Sequence, residues 1–313
     1  MLQELVQPYG ILLDSNIVYA VEKDSIMAYQ LPSGKRLFSF GKTGEGPGEF
    51  LSSNNPNPLS VSVFDSQLVV NSQGKLSFWT KTGEYTKEKN FSVLDAEHVL
   101  PIDGQRYLAD NSKSYGGTWY QRIILLDSEM KEKKELFRTK HRWQGQETGI
   151  ALFLKHFIYC VGDRYIYLPG EEDNEISVYT KDLILQRTIT IPKLNHRIGT
   201  RSKNLILEEV KPIRERHPSF PWPVFPEYFP TIATFFVDND LLYVFPHPLV
   251  QGEDSYLCYV FDSNDGKLLH EKKVIIHFYT HRNMFPVTIK SGMMYQLIES
   301  DDEEWRLVRQ KIH

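Results

Sequence analysis

A unit of about fifty residues recurs from one end of the chain to the other, and it constrains the fold more than any other feature. Each copy is an apolar strand, a polar turn, a second strand ending in an aromatic or apolar residue, a turn, and an alternating strand. The first copy runs NIVYAV (16–21), SIMAYQ (25–30), the turn LPSGK and RLFSF (36–40); the second runs SQLVVN (66–71), KLSFWT (75–80) and YTKEKNF. Anchoring each copy on the residue before its second turn selects Tyr29, Trp79, Leu126, Tyr179, Phe261 and Val308, at steps of 50, 47, 53, 82 and 47. Period-two alternation bounded by Gly, Asn, Asp and Ser is the signature of hairpins, and repeats of this length built from strands are propeller blades. The expected fold is therefore all-β, a six-bladed β-propeller forming one domain over residues 1–313, with one insertion between blades 4 and 5.

The long step locates that insertion at about 193–229. In RSKNLILEEVKPIRER (201–216), Ile206, Val210 and Ile213 fall on one face of a short amphipathic helix that Pro212 limits or bends. HPSFPWPVFPEYFP follows, with prolines at 218, 221, 223, 226 and 230 that block both helix and central strand. Its aromatic residues, Trp222, Phe225 and Tyr228 among them, either pack against the ring or form a binding surface. At the other end, LQELVQ (2–7) is long enough to give the last blade a strand and close the ring.

Composition supports a large folded core and excludes several classes. The chain carries 40 Asp and Glu against 36 Lys and Arg, a net charge of −4, which leaves no global basic field for nucleic acid. No apolar run reaches the 18 or so residues of a membrane-spanning helix. The start lacks a basic region followed by an apolar one, so no export signal is expected in these residues. Cys160 and Cys258 lie in apolar strand-like runs and read as free, packed thiols.

The most specific stretch is FGKTGEGPGEF (40–50). It resembles the glycine-proline signature of six-bladed TolB-like and NHL-like propeller proteins of Bacteroides-type bacteria. PSGKRLFSF before it is similar to their blade ending, and FPEYFPTIATFFVDNDLLYVF (225–245) to their blade opening after a helical insertion. The resemblance implies a propeller located outside the cytoplasm, in the periplasm or at the cell surface, with envelope association through a leader that these residues do not include. It carries over no catalytic residue.

Other motifs read as structural. GKT in the same stretch is not a phosphate loop, because the position five residues before Gly41 is Arg36 and Pro47 with Gly48 oppose a following helix. Gly41, Gly44, Gly46 and Gly48 instead suit positive φ in a tight crossover, with an anion nest of backbone N–H groups as the alternative. His277 and His281 have zinc-like spacing only on a helix, and HFYTH lacks the Glu of a metalloprotease. The acidic run ESDDEEW (299–305) reads as a solvated hairpin tip, and KEKKELFRTKHRW (131–143) as a polar hairpin and blade exit.

Taken together, these features lead to a non-catalytic binding or interaction module with a protein, peptide or glycan ligand and no cofactor. The expected face comprises Lys42 and Glu45 of the crossover, Trp222, Phe225 and Tyr228 of the insertion, and the loops at His247, His281 and Arg282. The alternative is a propeller hydrolase or lyase of the lactonase or strictosidine-synthase-like kind, with Ca or Zn or a polar site at the channel mouth; a purely structural ring is a third reading.

Overall fold

The computed structural model describes all residues except 1, 52–58, 73, 92–95, 97, 141–149, 152–157, 221, 249–252, 254, 281–282 and 301. Among the described residues the chain forms six successive antiparallel up-and-down sheets, as a six-bladed β-propeller requires. The first sheet has strands Gly10–Asp14, Ile17–Val21, Ile26–Gln30 and Lys35–Phe40. The second has Ser60–Phe64, Gln67–Asn71, Lys75–Thr80 and Tyr85–Asn90. The third comprises Val99–Pro101, Tyr107–Tyr115, Thr118–Leu126 and Glu132–Lys140, and the fourth Cys160–Val161, Tyr165–Pro169, Glu175–Thr180 and Leu185–Thr190. Ile232–Asp238, Leu241–Pro246, Tyr256–Asp262 and Leu268–Val274 make the fifth, and Val287–Lys290, Met293–Glu299 and Trp305–Lys311 the three-stranded sixth.

The repeat has a local cause. The register shifts on the third strand immediately before Tyr29, Trp79, Tyr179 and Phe261, so a bulge recurs at the anchor in four sheets. A bulge adds twist and re-aims the chain toward the fourth strand. The turn that follows closes through a residue with positive φ, Gly34, Gly83, Leu183 or Gly266. Val308, the sixth anchor, lies instead in the middle of its strand.

The chain divides into two compact units, one of Met1–Asn111, Ile123–Leu136 and Met284–His313, the other of Ser112–Arg122 and Phe137–Asn283. In the first unit, the aromatic and branched faces of neighbouring sheets meet. Tyr19, Ile26, Phe40, Phe50, Leu68 and Trp79 join the first two sheets, and Leu76, Phe78, Tyr107 and Ile124 join the second to the third. In the second unit, Tyr167, Ile176, Val178, Phe235, Leu242 and Tyr259 join the fourth and fifth sheets. Full burial of each such side chain contributes about 1.5–3 kcal/mol.

The N-terminal segment docks on the sixth sheet but not as the strand the sequence suggests. Leu2 donates its backbone N–H to the Trp305 carbonyl at 2.9 Å, and Leu2 and Leu5 are buried with Trp305, Leu297 and Tyr29. Glu4, at φ 67°, turns the chain. Thereafter the segment is satisfied by side chains: Tyr29 Oη donates to the Gln3 carbonyl at 2.6 Å, and Glu22 Oε1 accepts from Val6 and Gln7 N–H at 2.6 and 3.0 Å. These bonds replace a ladder, so the segment is held by packing and turns.

Candidate functional site

The insertion between the fourth and fifth sheets begins with the helix Thr200–Arg216, whose buried residues are Ile206 and Val210. The helix continues four residues past Pro212, where the sequence suggests a limit or bend. Its last turn carries Arg214 and Arg216, which suit the negative end of the helix dipole.

After the helix the chain doubles back in extended form. Pro223–Val224 pairs in parallel with Ile150–Ala151. Further on, Arg197 bridges Tyr228, Ile198 N–H donates to the Glu227 carbonyl at 2.9 Å, and Phe229 N–H donates to the His196 carbonyl at 2.9 Å. Backbone bonds thus fix both ends of 223–229, and the proline-rich segment is more ordered than an irregular loop.

Trp222, Val224 and Tyr228 are 52%, 48% and 46% exposed, and Pro226 and Glu227 are exposed too. Phe225 is half-buried, with Lys203 Nζ of the helix 5.9 Å from its ring centre. The Arg214 guanidinium lies 4.2 Å from the Trp222 ring centre, and the same side chain donates to the Phe220 carbonyl. Arg197 forms a 3.5 Å ion pair with Glu227 in which both side chains are largely exposed. The result is a set of exposed apolar residues with Arg214 over Trp222 at one end and the Arg197–Glu227 pair at the other.

Phe229 is buried and stacks on His247, ring centres 5.3 Å apart and planes 18° apart. His247 is half-buried and its backbone N–H donates to the Thr231 carbonyl at 3.1 Å. Its ring therefore packs at the base of the insertion. His281 and Arg282 lie outside the described residues.

The crossover at 40–50 belongs to the first unit and is built around its own charges. Gly44 N–H donates to the Phe50 carbonyl and Phe50 N–H to the Lys42 carbonyl, each at 2.8 Å. Gly46 N–H donates to Glu49 Oε2 at 2.9 Å, and Lys42 Nζ pairs with Glu49 Oε1 at 2.9 Å. The hydrogen bonds from Lys42 and then Gly46 hold the Glu49 carboxyl below the usual carboxylate range. One N–H of the loop, that of Gly46, thus binds the loop's own carboxylate. Only Gly41 and Gly48 of the four glycines take positive φ. At Gly44 a Cβ would fall on the Glu49 carboxylate, Oε2 at 2.0 Å, so a side chain there would displace that carboxylate.

Beneath this loop lies a residue that the motif does not reveal. Lys75 is buried, and its ammonium donates to the carbonyls of Gly46, Glu45 and Glu49 at 2.9, 3.2 and 3.2 Å and pairs with Glu88 at 3.4 Å. Glu45 thus serves the loop through its backbone oxygen, and Lys42, with a side chain 75% exposed, through Glu49.

Glu303 and Ser300 close the acidic hairpin tip, whose residues Asp302, Glu303 and Glu304 are exposed. No group of three His, Cys, Asp or Glu able to hold a metal occurs among the described residues. Residues 132–140 of the basic run form an outer strand, in which Lys133 pairs with Asp127 at 3.0 Å. Cys160 and Cys258 are free, and burial pushes the Cys160 thiol up to about 11 and that of Cys258 higher still. Among the described residues, no helix is long and apolar enough to cross a membrane.

No protein-family model and no curated protein matches the sequence. Among solved structures, the chain is similar to "a putative exported protein" from Bacteroides fragilis at TM-score 0.55 and 12% identity, covering 94% of this chain and 80% of that one. A second similar structure is the Pan2 WD40 domain of Neurospora crassa, at TM-score 0.44 and 10% identity, covering 92% and 74%. At such identity the Bacteroides likeness concerns the fold alone.

Proposed function

We propose that the protein is a non-catalytic binding or interaction module on a six-bladed propeller of the TolB-like and NHL-like kind, acting outside the cytoplasm without a cofactor. One observation carries the reading: the insertion displays Trp222 and Tyr228 on a backbone fixed at both ends, with Arg214 stacked on Trp222. Trp, Tyr and Arg are the residues that dominate binding energy at interfaces, and rigid presentation lowers the ordering cost of association. Phe225 and the Phe229–His247 stack support the stripe from behind. An exported role is in keeping with the name of the Bacteroides fragilis protein of similar fold.

The test is to screen the purified protein, with EDTA present, on peptide and glycan arrays beside the Trp222→Ala/Tyr228→Ala variant. Binding that the variant loses while its thermal melt is unchanged supports the reading. Hits that the variant keeps overturn the assignment of the surface. Turnover of lactone or ester substrates together with stoichiometric Ca or Zn would favour the hydrolase instead.

A further inference from the structure

Resting on that reading, we propose that the stripe at 222–228 takes an acidic polypeptide segment that also carries apolar side chains. Three observations converge on this class of partner. The first is exposure. Trp222, Val224, Pro226 and Tyr228 are all exposed within one short segment, so a partner laid along it meets apolar side chains at several successive points.

The second is charge. Residues 193–229 contain seven Lys and Arg against four Glu in a chain whose net charge is −4. Within 218–230 Glu227 is the sole acid, and its pairing with Arg197 is exposed and open to exchange with a partner carboxylate. Arg214 lies over Trp222, and Arg197 pairs with Glu227 beside Tyr228, so a cation stands near each end of the stripe. Acidic side chains of the partner would meet them.

The third is the polarity of the contact face. Val224 and Pro226 present only hydrocarbon between the two rings. A polysaccharide laid along this face would bury hydroxyls against groups unable to hydrogen-bond them, at a cost of about 1–3 kcal/mol for each unsatisfied group. Apolar side chains of a peptide incur no such cost.

The experiment measures fluorescence anisotropy of a labelled, capped Glu-Leu-Glu-Tyr-Glu-Leu-Glu peptide titrated with the full chain. Parallel arms use the same peptide with Gln for Glu, polygalacturonate, and a single-stranded oligothymidylate. The expected result is saturable binding of the acidic peptide, about tenfold weaker in 0.5 M than in 0.05 M salt, since the stripe's charges are exposed to screening. Trp222→Ala should weaken it at least about thirtyfold, the loss typical of a hot-spot residue. Arg197→Glu, at a largely exposed ion pair, should weaken it while the melt is unchanged.

Equal binding of the Gln peptide, preferential binding of polygalacturonate or oligothymidylate, or no binding of any probe would overturn the acidic-peptide assignment. None of these three results removes the interaction surface itself, which the array comparison judges separately. Binding of the acidic peptide that is indifferent to both Trp222→Ala and Tyr228→Ala would overturn both.

Discussion

Replacing Lys75 by Met tests whether the glycine-proline crossover is held by a buried ammonium. Met preserves most of the volume but removes the charge, leaving the Glu45, Gly46 and Glu49 carbonyls without their shared donor and Glu88 without its cation. Breaking a buried ion pair by removing one partner costs about 3–5 kcal/mol. The Glu88 side chain retains 20% exposure, so water recovers part of that, and Gly46 keeps the Glu49 N–H at 3.1 Å. The expected loss is therefore near the lower end, about 3 kcal/mol, with a fall in Tm of about 4–5 °C for a chain of this size. Guanidinium denaturation followed by tryptophan fluorescence measures it, because Trp79 packs against Phe50 at the loop's end, ring centres 5.9 Å apart. Glu88→Gln should cost less, about 1 kcal/mol, because the three carbonyls keep their donor. Lys75→Arg should not restore wild-type stability, since a planar guanidinium does not fit a site shaped for a point charge. A Lys75→Met melt within about 0.5 kcal/mol of wild type, the range of an ordinary surface change, would refute the argument.

Deleting residues 1–7 removes Leu2 and Leu5 from the core beside Trp305 and should lower the melting temperature clearly, whereas an unchanged melt would show the segment to be dispensable. Stability should fall as pH drops below the ordinary carboxylate range. Lys42 holds the Glu49 carboxyl down, the Lys131 N–H that of Asp127, and Lys267 that of Asp265. Each such group binds fewer protons folded than unfolded, so its contribution is complete above the unfolded pKa and is lost as pH falls through the folded one. Denaturation midpoints at pH 6 and pH 3 check the sign, and Glu49→Gln should flatten the difference. Cys258 should not react with a thiol reagent at pH 8 until the protein unfolds, because its burial both blocks access and disfavours the thiolate; rapid labelling of Cys258 in the native protein would contradict this.

The third-strand endings were legible because a bulge and a turn follow them, and these leave a mark in local chemistry: an aromatic, then Gly, Asn, Asp or Ser. Tyr29, Trp79, Tyr179 and Phe261 all fall at that place. The helix was legible from Ile206, Val210 and Ile213, and the stripe from its prolines. Less visible was the length of the third sheet's hairpin. Its strand Tyr107–Tyr115 continues through the polar stretch NSKSY, which carries no apolar alternation because that part of the strand is exposed.

The sequence by itself determined the class of fold, the place of the insertion and the aromatic content of its exposed stripe. These depend on period, turn residues and proline, all local properties. Only the tertiary structure decided which charges face which rings and oxygens. Lys75 finds carbonyls 26 to 30 residues away, and a carbonyl is the same atom in every residue, so no side-chain pattern announces the cage. Arg214 meets Trp222 because the chain turns back after the helix. Such pairings depend on where the backbone returns in space, a property of the packed sheets and not of any short stretch of residues.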